Sequence, residues 1–175
     1  MQALRALILF LFIILLFYSF KTEAFNMATL KISSSVFAYN ESIPSRYTCD
    51  GVDVSPPITI ENVPTEAKSL VLIVDDPDAP VGTWVHWIVW NISPTTKEIK
   101  ENSVPVGASQ GMTDFRKQKY GGPCPPSGTH RYFFKLYALD SLLTLGSNSI
   151  KDTVEGAMKG HILAQAELIG LYSRK

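Results

Sequence analysis

The stretch Ser69-Leu-Val-Leu-Ile-Val-Asp-Asp-Pro-Asp-Ala-Pro80, followed by Val85-His-Trp-Ile-Val-Trp-Asn-Ile92, decides how this chain folds. Its first half is a continuous aliphatic run, the pattern of a strand buried on both faces. Its second half is rich in β-branched and aromatic residues, which suit a pleated, half-buried surface. Asp and Pro punctuate the turn between them. Outward from this pair, Leu30 to Phe37 is short and β-permissive. Ile58-Thr-Ile-Glu-Asn-Val63 alternates after Pro56-Pro57, and Tyr132-Phe-Phe-Lys-Leu-Tyr-Ala-Leu139 is another strand-like run. Helical signal is confined to the C-terminal part. Ser149 and Asp152 have capping-box spacing, Ile150, Val154 and Met158 repeat on one face, and Gly160 marks a stop. Ile162 to Tyr172 reads as a closing strand. The expected fold is mostly β: a two-sheet antiparallel sandwich with Greek-key connections and a short helix in the C-terminal part.

Composition removes several classes of function. The 175 residues carry 16 Lys+Arg against 16 Asp+Glu, so nothing forms the basic footprint of a nucleic-acid binder. An apolar fraction of 46% with 18% charged residues is too hydrophobic for a disordered chain. The apolar residues are unevenly spread. Arg5 precedes Ala6 to Phe20, in which Ser19 is the one residue that is not apolar, and Lys21, Thr22, Glu23 and Ala24 follow. A basic start, a short apolar run and a small-x-small ending describe a signal peptide over residues 1–24, cleaved after Ala24. The run falls just short of the roughly 20 residues that cross a bilayer. An uncleaved membrane anchor is the alternative, and a cytosolic start at Met27 is a third. Cleavage leaves one domain, residues 25–175, exported to the periplasm or beyond.

Chemically able side chains gather at two strand ends. One is Asp75-Asp76-Pro77-Asp78, with His86 shortly after. The other is Gly121-Gly122-Pro123-Cys124-Pro125-Pro126-Ser127-Gly128-Thr129-His130-Arg131-Tyr132. Three carboxylates in four residues repel one another unless cations or N–H donors compensate them. They read either as a pocket wall or as a proline-fixed turn with Asx-type caps. His86, between Trp84 and Trp87 in a strand, reads as a core residue or as a pocket group. His130 and Tyr132, behind a Gly/Pro-rich loop, suit a phosphate or carboxylate oxygen. His161 stands alone and reads as structural. No catalytic nucleophile motif, metal-ligand spacing or cofactor fingerprint is present. Two cysteines in an exported chain suggest one Cys49–Cys124 bridge. The alternative is a free, reactive Cys124 near His86, His130 and Asp76.

The blocks Asp75–Pro80, Val85–Ile92 and Pro125-Pro-Ser-Gly-Thr-His-Arg-Tyr132 resemble the phosphatidylethanolamine-binding protein family, in particular its bacterial and archaeal Raf kinase inhibitor-like branch. Tyr47-Thr-Cys-Asp-Gly-Val-Asp-Val-Ser-Pro-Pro57 and the closing Gly160-His-Ile-Leu-Ala-Gln-Ala-Glu-Leu-Ile-Gly-Leu-Tyr172 are similar to that branch too. The resemblance implies a β-sandwich with a small anion pocket at one end. Asp76, Asp78, His86, His130 and Tyr132 would line it, and Pro125 and Pro126 would form a wall. Cys124 takes the place of a glycine whose N–H faces the anion in animal members. In that reading His130 and Tyr132 donate to an anionic oxygen and His86 donates a second hydrogen bond. Asp76 orients a histidine and favours its cationic form. The implied function is a non-catalytic module for a small anion or phosphorylated head group, without a cofactor. The alternatives are an inhibitor that binds a protein such as a serine protease, and a hydrolase using the Asp/His pocket.

Overall fold

The computed structural model describes residues 29–174, so the leader expected over residues 1–24 lies outside the described residues. Strand β4, Ser69–Asp76, is the spine of a six-stranded sheet. It pairs antiparallel with β5, Trp84–Ile92, on one side and with β8, Thr129–Leu139, on the other. Strands β9 (Ile162–Ser173), β2 (Glu41–Ser42) and β7 (Ser109–Gln110) complete the order β2-β9-β8-β4-β5-β7. A second sheet of β1 (Lys31–Ser33), β3 (Ile58–Glu61) and β6 (Glu98–Ile99) runs in the order β1-β3-β6. Between β5 and β8 the chain visits both sheets, then returns to the far side of β4, a Greek-key type of crossing.

The aliphatic run in β4 is continuous because both of its faces are covered. Leu70, Leu72 and Val74 point between the sheets and pack with Ile32, Ile58, Ile60, Ile99, Trp87 and Phe134. Val71 and Ile73 point the other way and pack with Ile88, Trp90, Val154 and Met158. The last two belong to helix α1, Lys151–Met158, which lies over the outer face of the large sheet. Each such side chain, fully withdrawn from water, stabilises the fold by about 1.5–3 kcal/mol. β8 instead alternates: His130, Tyr132, Phe134, Leu136 and Ala138 are buried, and Arg131, Phe133, Lys135 and Tyr137 are not.

Several local expectations are corrected. The strand expected over Leu30 to Phe37 is three residues long, because Ser34 leaves the ladder and donates its Oγ–H to Pro57 O at 2.7 Å. Phe37 still reaches the core, 5.6 Å from the Phe134 ring. The capping box does not form. Ile150 takes the N-cap in extended backbone, no side chain caps the helix, and Ile150 is exposed rather than on the buried stripe. Asp152 falls in the first turn, where its charge complements the helix dipole. β2 pairs with β9 in parallel, an exception in an otherwise antiparallel sandwich. Gly170 permits that approach: a Cβ there would sit about 2.5 Å from the Ile43 side chain. Gly160 ends the helical region at φ +81°, a left-handed conformation that glycine adopts freely.

Candidate functional site

The antiparallel register sets the C-terminal end of β4 beside the start of β8, with Asp75 opposite Phe133. Successive strand residues point to opposite faces, so the pleat separates the neighbouring carboxylates. Asp75 points to the helix side and is fully buried. There it accepts from Lys135 Nζ at 2.9 Å and Lys151 Nζ at 2.5 Å, which ties α1 to the sheet. Asp76 points to the opposite side and holds His130 Nδ1 at 2.7 Å, with both groups buried. Asp78 accepts from Arg131 in a forked pair, at 2.9 Å from Nε and 2.7 Å from Nη2, and also from the Arg131 N–H. The Arg131 guanidinium lowers the Asp78 carboxyl to about 2. The acidic cluster is therefore three separate devices, each with its own partner side chains.

His86, on β5, holds Gly121 O at 2.6 Å through Nδ1. The backbone reciprocates, since Gly121 N–H donates to His86 O at 3.0 Å. A carbonyl oxygen only accepts, so Nδ1 carries the proton. Burial pushes the His86 imidazole below its ordinary value of 6.5; the Gly121 hydrogen bond and the charges of Asp76, Asp75 and Asp114 oppose this and are outweighed. The ring is neutral at pH 7, and its Nε2 is an acceptor. The donor proton on Nδ1 is thus spent on Gly121 O. Burial with loss of charge also sets a sign for stability. The unfolded chain binds the proton more readily, so His86 destabilises the fold as pH falls below about 6.5, by up to about 1.4 kcal/mol per pH unit until the folded value is reached. Denaturant unfolding across that range should show this acid-side slope reduced in His86→Gln. An unchanged slope would remove His86 as its source.

Asp76, His86 and His130 meet at a cavity of about 320 Å³, whose other lining residues are Ala79, Pro80, Val81, Trp84, Phe115, Cys124, Pro125 and Pro126. Of the seven residues singled out in the sequence, Asp76, His86, Cys124, Pro125 and His130 line this cavity. Asp78 stands outside the lining, engaged with Arg131. Tyr132 is not among the lining residues; it packs edge-on with the His86 ring at 5.2 Å, and its buried hydroxyl has no hydrogen-bond partner among the described residues. Burial, and after it the charge of Asp76, raises that phenol well above its ordinary value. Trp84, Val81 and Phe115 extend the site beyond those seven. Phe115 lies edge-on to both His86 (5.2 Å) and Trp84 (5.5 Å). A lone aromatic in a loop carries no motif, so only the Asp114–Val85 hydrogen bonds (2.7 and 3.2 Å) beside it reveal its address. His161 pairs with Asp140 at 2.7 Å on the surface, away from the cavity.

The cavity's loop wall is stapled from below. Cys49 and Cys124 form a disulfide with 5.4 Å between their Cα atoms, so Cys124 is not a free nucleophile. Cys49 N–H donates to Pro123 O at 3.1 Å, and Gly122 N–H donates to Asp53 Oδ1 at 2.6 Å. Tyr120 O–H donates to Tyr47 O at 2.9 Å. A side chain at Gly122 would collide with Tyr47 O and Asp53, so the two loops meet as closely as backbone allows.

Comparison with known proteins agrees with this architecture. Residues 33–173 match the sequence profile described as phosphatidylethanolamine-binding protein. The UPF0098 protein PH1269 of Pyrococcus horikoshii is 51% identical over 156 residues, covering 84% of this chain and 78% of that protein. The UPF0098 protein of Methanothermobacter thermautotrophicus is 50% identical over 150 residues, covering 83% of this chain and 99% of that one. Among solved structures, the phosphatidylethanolamine-binding protein homolog CT736 of Chlamydia trachomatis superposes with a TM-score of 0.81 at 43% identity, covering 84% of this chain and 99% of that chain. Escherichia coli YbcL, described as a member of the mammalian family, superposes at 0.80 with 32% identity, over 85% of this chain and all of that one.

Proposed function

The chain belongs to the phosphatidylethanolamine-binding protein family, and on that premise we propose that it is an exported binding module whose cavity takes a small anion or phosphorylated group without turning it over. One observation carries this reading. Two buried imidazoles line one cavity, and each has its Nδ1 tied to protein, to Asp76 for His130 and to Gly121 O for His86. Their Nε2 atoms remain to meet a ligand. In this reading His130, held in place by Asp76, donates to an anionic oxygen. The Cys49–Cys124 bridge supports export, because disulfides persist in oxidising compartments.

The test is an NMR titration of protein recovered by secretory expression, with phosphate and with phosphoethanolamine. Resonances of His86 and His130 should shift together, and Tyr132 should follow through its contact with the His86 ring. No shift at any of them up to on the order of tens of millimolar, weaker than the weakest useful affinities, would sink the reading. The intact mass of the same sample should begin at Phe25 after cleavage behind Ala24; a retained leader would replace export in soluble form by anchoring.

A further inference from the structure

The large sheet leaves one long edge open. Its two outermost strands, β2 and β7, are only two residues each. β9 is twelve residues long and pairs with β8 along its length, but β2 covers its outer side only at Gly170 and Leu171. Asn40 N–H and Ile43 N–H donate to Ile169 O and Leu171 O, both at 2.8 Å, so these carbonyls face outward. Successive residues of a strand turn their N–H and C=O groups to opposite sides, so those of Gln165 and Glu167 face outward as well. Among the described residues, no backbone group pairs with them.

Folded chains blunt such edges with Pro, Lys or very short strands. The open run, residues 162–168, has no Pro and no Lys, and Glu167 is its one charge. At its start Ile162 and Leu163 are 44% and 42% exposed. At its other end lies the Tyr39–Asn40 turn, tied to Ile169, with Tyr39 55% exposed. Apolar groups therefore flank both ends of the open edge. An antiparallel copy of the same strand reverses those ends and sets one group against the other. β2 limits how far such a copy can slide. Residues 162–168 pair with themselves about Gln165, which puts Ile162 of each copy opposite Leu168 of the other. A register shifted toward β2 would place Ile162 against residues that Asn40 and β2 already hold. About Gln165, Gln165 meets Gln165 and Glu167 meets Leu163, so no like charges oppose.

We propose that the open edge of β9 is a self-association surface, on which a second copy of this chain adds its own β9 antiparallel, about a two-fold axis at Gln165. The interface uses the same strand from both copies and joins their large sheets into one. Main-chain hydrogen bonds supply the affinity. Tyr39 of one copy, packed on Ile162 and Leu163 of the other, supplies the apolar part. The cavity stays accessible: it borders on His130 at the start of β8, whereas residues 162–168 pair with β8 from Phe134 to Leu139.

Sedimentation velocity of the secreted protein from about 5 to 500 μM, the range of weak interfaces, tests the proposal. The unmodified protein should pass from monomer to dimer as its concentration rises, and the amides of residues 163–167 should exchange more slowly in the dimer. Gln165→Lys and Gln165→Glu, at an exposed position, each set like charges face to face and should stay monomeric. An equal mixture of the two should dimerise again, because the facing charges are then opposite. A monomer at every concentration overturns the proposal, and protected 163–167 amides in that monomer would assign the edge to the chain's own N-terminal segment. A dimer that persists in either charged variant alone places the interface elsewhere and overturns it too. A mixture that stays monomeric overturns the pairing at Gln165. Should a variant not fold, the concentration dependence of those amides in the unmodified protein decides alone. No outcome depends on whether the cavity binds an anion.

Discussion

Replacing Cys49 and Cys124 together by serine should lower the stability of the domain by about 4 kcal/mol, as expected for a cross-link that closes a long loop in the unfolded chain. The two cysteines are 75 residues apart in sequence, and the segment between them holds β3 to β7, including the spine of the large sheet. The folded state has little to lose directly. The Cys49–Pro123 and Gly122–Asp53 hydrogen bonds and the Tyr120–Tyr47 contact still hold the two loops together. The loss therefore acts through the unfolded ensemble, which gains conformations once the link is gone. Urea unfolding of the oxidised protein, the reduced protein and the double variant reads the effect. The last two should agree with each other and fall short of the first. A difference below about 1 kcal/mol would mean that the bridge only decorates a wall that the hydrogen bonds already build.

Asp75→Asn is the second large effect, expected at about 3 kcal/mol. The carboxylate has no exposure to solvent, and two ammonium groups converge on it from different elements, Lys135 on β8 and Lys151 on α1. Removing one partner of a buried pair typically costs about 3–5 kcal/mol, because the charge left behind is neither hydrated nor paired. Here the lysines are partly exposed, at 26% and 18% of the side chain, and can turn some way toward water, which argues for the lower end of that range. Asp78→Asn provides the contrast. Its partner Arg131 is half-exposed, and surface pairs contribute about 0–1 kcal/mol. Chemical denaturation of both variants separates the carboxylates. Similar losses for the two would mean that the acidic run acts as one unit rather than as three devices. Loss of α1 from its place should accompany the Asp75 variant, seen as faster amide exchange over residues 151–158.

The strand and helix pattern was readable because it depends on neighbours along the chain. Alternation, an unbroken aliphatic run and turn residues each record, within a few positions, which faces are covered. That is why β3, β4, β5, β8 and β9 stand close to where the sequence places them, while the two-residue strands β2, β6 and β7 left no pattern long enough to read. Composition and spacing also singled out the two strand ends that meet at the cavity, and the paired cysteines.

Partnership was not readable, because it depends on register between strands far apart in the chain. Asp76 meets His130 across 54 residues, Asp78 meets Arg131 across 53 and Asp75 meets Lys151 across 76. Nothing local distinguishes Asp75, Asp76 and Asp78, which the pleat of β4 and the turn after it send in different directions. The same holds for the packing of Tyr132 against His86, and for Phe115, which no motif announces. By itself, then, the sequence determined the fold class, the strand ends that matter and the residue types gathered there, since these follow from local periodicity and composition. Only the tertiary structure decided which carboxylate pairs with which side chain and which nitrogen of each histidine the protein itself engages. Hydrogen-bond direction and burial are properties of the packed neighbourhood, and a chain acquires that neighbourhood only by folding.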